Sequence, residues 1–312
     1  MKSWKEICTL SLVHFMAYPE MQSGEGDFVS TIHQLGDLNF FGALEMGTIN
    51  NPKARAAVLQ IARQRNFKLA VGAQPLILGE NLNLNASDLQ TRLVARTKIK
   101  EGIDQAAEIG AGSFVILSGK DPGDDQRQQA YEFLEESILA LADHARQYAI
   151  RIVLEVFDRA VDKKALVGPS VEAAPLARKI RLSYPEFGLL YDMGHMPLLN
   201  ETPAQALALL QGLLAEVHLG NCVLTPGANA FGDKHPRFGF DGGVNSTPEL
   251  VSFLEALLAT GYLKENQASE DLPWVGFEIR PHGSETTAFI LENIMETWNN
   301  AWEQVESRPQ KY

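Results

Sequence analysis

The sequence predicts a single-domain α/β fold, a (β/α)8 barrel, with a metal site at one of its ends. Three observations carry that expectation. Short apolar runs alternate with helical patterns eight times over the 312 residues. The last four apolar runs end around Glu155, Asp192, His218 and Glu278, all metal-ligating residue types. No shift in composition marks a linker, so residues 1–312 read as one domain. Strands alternating with helices form a parallel sheet, and eight such units close on themselves. A doubly wound open sheet would instead need a glycine-rich phosphate turn after the first strand. Gly24-Glu-Gly26 matches that poorly, and neither GxGxxG nor GxxxxGK[ST] occurs.

Taken in order, the strands are apolar runs and the helices carry apolar residues at three- and four-residue spacing. Ile7 to His14 is the first strand, and Phe28 to Leu38 the first helix, with Phe28, Ile32 and Leu35 on one face. Phe41 to Met46 is the second strand. Asn51-Pro52 opens a helix to about Arg65, asparagine suiting the cap and proline the first turn. Lys68 to Ala73 is the third strand, and Ser87-Asp88 opens a helix that ends at Glu108. Ser113 to Leu117 is the fourth strand, followed by a helix over Asp124 to Tyr148. The fifth strand begins at Arg151. Ser170 suits the cap of the next helix, and the sixth strand runs from Phe187 to Asp192. Thr202-Pro203 opens a helix to Leu214, before the seventh strand and His218. A Gly-, Pro- and Asn-rich stretch follows, and residues 221–246 read as a long substrate-covering loop. Thr247-Pro248 opens a helix to about Leu258, Trp274 to Ile279 is the eighth strand, and Ser284 to Glu303 the last helix.

Composition narrows the function. A hydrophobic content of 45% with 21% charged residues fits a globular chain and argues against disorder. The formal net charge of −12 is the reverse of a nucleic-acid footprint, so a small-molecule partner is expected and no nucleic acid. No run reaches the roughly 18 apolar residues of a membrane span, so no membrane partner is expected. Cys8 and Cys222 are too few for a disulfide framework and read as buried thiols. Glu6 and His14 interrupt the apolar start, and no small-residue cleavage site follows cleanly. The start therefore reads as a first strand in a cytoplasmic protein. Trp298 and Trp302 pack on the barrel or on a second subunit, which leaves a homo-oligomer open.

In a barrel the strand ends share one face, where active sites lie. Glu155, Asp192, His218 and Glu278 end strands five to eight, which are consecutive round the ring, so they can converge on one ion. Any one of them alone reads as a satisfied polar strand end; four in register read as a site. Three carboxylates and one imidazole suit Mn²⁺, Mg²⁺ or Co²⁺ and admit Zn²⁺. His14 and Glu45, at the ends of strands one and two, face the same mouth as candidate substrate contacts. Arg280 and His282, after Glu278, are candidates for an anionic group, and Lys120 is similar. Trp4, Phe15 and Trp274 are expected to pack rather than to stack on a sugar.

Leu154-Glu155, Asp192-Met-Gly-His195, Val217-His218-Leu-Gly-Asn221 and Phe277-Glu278 resemble the xylose isomerase-like TIM barrels, and the likeness extends over roughly Ile7 to Trp298. That family includes sugar isomerases, ketose 3-epimerases, hydroxypyruvate isomerases, inosose dehydratases and the endonuclease IV group. The resemblance implies one divalent metal ion held by Glu155, Asp192, His218 and Glu278. It implies that Glu155 and Glu278 also act as the acid/base pair beside a metal-stabilised enediolate. His195 would contact substrate or a further metal. The implied activity is isomerisation or epimerisation of a sugar or sugar phosphate, with a sugar or polyol as partner. An inosose-type dehydratase is the alternative on the same site. A non-catalytic sugar- or metal-binding barrel is the rival outside catalysis, and the intact ligand set argues against it.

The sequence departs from the family in two places. Endonuclease IV proteins need histidines at the ends of strands three and four, where this chain has Gln74 and Ser118 to Lys120, so a trinuclear site is broken. Asp233-Lys-His235 still resembles that group's Asp-x-His pair. A second metal on His195, Asp233 and His235, with metallohydrolase activity, is therefore a further expectation; otherwise His235 contacts substrate. The 3-epimerases carry an arginine soon after the strand-seven histidine, where this chain has Asn221, Cys222, Val223 and Leu224. Either Arg237, from the long loop, takes that role, or the substrate differs from that of the 3-epimerases.

Overall fold

Eight strands pair in chain order, all in parallel, and the eighth closes on the first. They are β1 (Thr9–Val13), β2 (Ala43–Met46), β3 (Lys68–Gly72), β4 (Ser113–Ile116), β5 (Arg151–Val156), β6 (Gly188–Asp192), β7 (Leu214–Leu219) and β8 (Trp274–Phe277). The computed structural model describes residues 2–265 and 272–307; Met1, 266–271 and 308–312 of the expected domain lie outside the described residues. Around the barrel run α1 (His14–Ala17), α2 (Phe28–Leu38), α3 (Pro52–Arg65), α4 (Gln74–Gly79), α5 (Leu89–Glu108), α6 (Asp124–Ala145), α7 (Ser170–Arg181), α8 (Pro203–Leu209), α9 (Thr247–Ala259) and α10 (Thr287–Ser307).

Strands in a parallel barrel are covered on both faces, which is why their sequences are continuous apolar runs instead of alternating ones. Helix starts follow local chemistry. Asp27 accepts from the Ser30 N–H, Asn51 from Lys53, Asp88 from Thr91, and Ser246 with Glu249 forms a capping box. Two differences from the sequence reading bear on the site. His14 opens α1 instead of ending β1, and Gln74 opens the unforeseen helix α4. Helices of four to six residues are too short to show a 3.6-residue period, so neither is visible as a pattern.

The main apolar core lies between strands and helices, while inside the barrel Val115, Val153 and Leu190 form a small separate plug. Trp298 is fully buried on the barrel wall, edge-on to Phe277 at 5.8 Å and stacked on Trp302 at 5.5 Å. Both tryptophans thus pack on the barrel. Cys8 and Cys222 are buried free thiols. Among the described residues no helix is long and apolar enough to cross a membrane.

Candidate metal centre

Side chains two apart on a strand share a face. The faces that carry Val153 on β5 and Leu190 on β6 into the plug therefore carry Glu155 and Asp192 to the C-terminal mouth. Pairing sets Asp192 opposite His218 across β6 and β7, and His218 opposite Gly276 on β8. Glu278 follows directly after β8, its N–H donating to the Leu219 carbonyl. Ligand atoms of Glu155, Asp192, His218 and Glu278 all lie within 4.8 Å of one another, and all four residues are buried. Glu155 Oε1 and Asp192 Oδ2 have no hydrogen-bond partner. Buried carboxylate oxygens left unpaired are costly; oxygens converging with an imidazole form a group that can hold a divalent ion. Two glycines leave room for these side chains. A Cβ on Gly276 would stand 2.7 Å from His218 Cδ2, and one on Gly220 would stand 2.7 and 3.0 Å from the Asp192 oxygens.

A second layer holds these groups in place. His218 Nδ1 is 2.9 Å from Glu278 Oε2, and its Nε2 is 3.1 Å from Glu45 Oε2. Gln74 Nε2 donates to Glu155 Oε2 at 2.6 Å, and the Gly194 N–H donates to Asp192 Oδ1. Asp233 Oδ1 lies 3.1 Å from His195 Nε2 and 2.7 Å from His235 Nε2, so one oxygen links two imidazoles. Its other oxygen accepts from Lys163 Nζ at 2.7 Å. His195 Nδ1 bonds the Val156 carbonyl at 2.8 Å. Asp192, His195 and His235 make a second group of ligand atoms within 4.8 Å, and Glu45, Glu216 and His218 a third.

Burial and charge split the carboxylates. Burial, with the charge of Glu278 behind it, pushes Glu155 up to about 8. Glu278 is buried too, yet the charges of His235, His218 and His195 with the His218 hydrogen bond bring it down to about 2. Burial also raises Asp192. Although burial opposes it, His195 and His218 are held well above the ordinary histidine range, chiefly by Asp233 and by Glu45 with Glu278 respectively.

The mouth opens into a cavity of about 730 Å³ whose wall includes Phe15, Gln74, Lys163, Asp233, His235, Glu278, Arg280 and His282. The four strand-end residues and the trio His195, Asp233 and His235 are thus brought together. Three expected substrate contacts are not. His14 is fully buried, bonded to Thr31 of α2 at 2.8 Å and stacked on Tyr18, because the chain turns into α1 at this residue. Arg237 bonds Glu285, just before α10, at 2.9 Å and the carbonyls of Phe238 and Gly239, so its fork is engaged away from the carboxylate cluster. Glu45 sets its carboxylate on His218 and is not part of the cavity wall. Two wall residues escaped sequence reasoning. Gln74 was noted only as a missing histidine, and Lys163 sits in a loop whose fold depends on three N–H donors to Asp158. No periodic signal marks either.

The structure is a closed (β/α)8 barrel with a buried carboxylate–histidine cluster, able to hold a metal ion, at its C-terminal strand ends. The chain belongs to the xylose isomerase-like TIM barrel family, whose profile matches residues 24–273. No curated protein matches it in sequence. Among solved structures, a D-tagatose 3-epimerase-like protein is 18% identical at a TM-score of 0.70, covering 95% of this chain and 99% of that one. D-psicose 3-epimerase with D-tagatose from Clostridium cellulolyticum H10 is 15% identical at 0.65, covering 96% and 98%. The IolI protein with a bound zinc atom is 14% identical at 0.70, covering 96% and 100%. At these identities the likeness concerns the fold.

Proposed function

We propose that this chain is a divalent-metal-dependent isomerase or epimerase of a sugar or sugar phosphate. The observation that carries the reading is the meeting of Glu155, Asp192, His218 and Glu278 at one buried point beside a cavity lined in part by charged side chains. A divalent ion held there would polarise a substrate carbonyl and stabilise charge developing next to it. Glu155 and Glu278 reach the point from strands three places apart round the ring and act as the proton-transfer pair. One takes the proton from the carbon beside the carbonyl and the other returns it. Return to the same carbon epimerises, and return to its neighbour isomerises. His235 contacts the substrate from the cavity wall, His195 steadies it through Asp233, and residues 221–246 cover the site. The epimerase names among the structural neighbours support this class of chemistry. With Arg237 engaged by Glu285 and by two carbonyls of its loop, the arginine of the 3-epimerases has no counterpart from that segment.

A second reading has its own observation: Asp233 Oδ1 lies between His195 and His235. Were a second ion to sit there, a metallohydrolase would be the better reading. Elemental analysis of the purified protein and of Glu155→Gln and His235→Ala separates the two. One ion per chain, lost in Glu155→Gln and kept in His235→Ala, with solvent deuterium entering a ketose next to its carbonyl, is the expected result. Two ions, one lost in His235→Ala, favour hydrolysis; a protein that takes up no metal sinks both.

A further inference from the structure

We propose that Arg280 binds an anionic group on the substrate, so that the cavity takes a sugar acid or sugar phosphate in preference to a neutral sugar. The inference rests on the reading that this cavity receives the substrate, and it adds the chemical class. Glu278 and Arg280 follow the end of β8, with N–H groups bonded to the carbonyls of Leu219 and His235, and both residues line the cavity. Arg280 is half-buried, and its guanidinium has no hydrogen-bond or ion-pair partner among the described residues.

The neighbouring cations are all engaged. Lys163 bonds Asp233 at 2.7 Å, Lys234 bonds Asp162 at 2.8 Å, and Arg237 bonds Glu285 at 2.9 Å. His282 gives Nε2 to the Lys234 carbonyl at 2.8 Å. In a chain of net charge −12 every other cation at this mouth has found an oxygen, and Arg280 has not. The nearest carboxylate in sequence, Glu278, is engaged by His218 at 2.9 Å and faces His235 at 3.5 Å. A half-desolvated guanidinium offers five donors in a planar fork that fits a carboxylate or phosphate. Because Arg280 and Glu278 line one cavity, a substrate whose reacting carbons lie at the carboxylate cluster can present an anionic end to the guanidinium.

The test uses three matched probes that differ only at carbon six: D-fructose, D-fructuronate and D-fructose 6-phosphate. Binding is measured by calorimetry on the metal-loaded and the chelated protein, for wild type, Arg280→Gln and Arg280→Lys, with circular dichroism to verify folding. We expect at least one anion to bind on the order of 10- to 100-fold more tightly than fructose, the size of one charge-assisted pair. Arg280→Gln should erase that difference and Arg280→Lys keep part of it. Which anion binds more tightly tells carboxylate from phosphate. Equal binding of all three, no binding of either anion, or a preference that survives Arg280→Gln overturns the proposal. A chain that takes up no metal refutes the isomerase reading, yet the charged-versus-neutral comparison remains readable in the chelated protein.

Discussion

Glu45 Oε2 lies 3.1 Å from His218 Nε2, so a carboxylate from β2 supports an imidazole from β7 across the barrel interior. The other ring nitrogen, Nδ1, faces Glu278 and the cluster. A carboxylate on the far nitrogen fixes the tautomer and raises ligand basicity. Replacing Glu45 by Ala leaves a buried N–H without an acceptor, while Gln keeps an acceptor and loses the charge. Metal affinity, read by competition with a chromogenic chelator, should fall by about 10- to 100-fold in Glu45→Ala and by less in Glu45→Gln. Wild-type affinity in both variants would falsify the support role.

The protonation state of Glu155 predicts a pH signature. Its folded pKa of about 8 lies above the ordinary 4.5, so the folded chelated protein keeps a proton that the unfolded chain releases. The stability tied to that proton is complete below about 4.5 and is lost as pH rises towards 8. His195 and His218 are raised as well, so their contributions are also lost as pH climbs through their folded values. The melting temperature of the chelated protein should fall over this interval. A bound ion takes the place of the Glu155 proton, so metal affinity should rise with pH over the same interval and the loaded protein should melt on a flatter curve. Parallel loaded and chelated curves would sink the assignment of Glu155 as a ligand.

Lys163 bears on how many ions the protein holds. Its ammonium, 2.7 Å from Asp233 Oδ2, supplies a fixed positive charge beside the trio His195, Asp233 and His235. That charge repels a cation on His195, Asp233 and His235. Lys163→Met keeps the length of the side chain and removes the charge, so a second ion should bind to the variant at concentrations where wild type holds one. An unchanged count by elemental analysis would show that the ammonium is not what excludes it.

Gly276 keeps room for His218. With a Cβ placed 2.7 Å from the ring and 2.8 Å from Ser11 Oγ, Gly276→Ala must push a buried imidazole aside. Overpacking of this kind costs about 1–3 kcal/mol, visible as a lower melting temperature. Metal affinity should fall with it, since the displaced ring belongs to the proposed ligand set. An alanine variant that melts and binds metal like wild type would mean that the ring has slack.

How much was legible follows from how each feature is encoded. Local patterns carried the barrel: buried strands read as apolar runs, caps such as Asn51-Pro52 marked helix starts, and polar residues where the runs stop pointed to the mouth. Glu155, Asp192, His218 and Glu278 could be proposed because an eight-stranded ring makes the ends of strands five to eight neighbours whatever the loops do. Periodicity says nothing about where a side chain turns once its strand has ended. His14, at the close of an apolar run, turns into α1 and bonds Thr31. Glu45 has the right strand-end position but meets His218 instead of the cavity wall, and Arg237 is spent on Glu285. Gln74 on Glu155 and Lys163 on Asp233 join residues 81 and 70 positions apart, so only the closed tertiary structure could bring those partners within reach. Sequence alone determined the ring and the ligands it must gather. The pairing of charges around them was decided by loops whose course depends on contacts with the finished barrel.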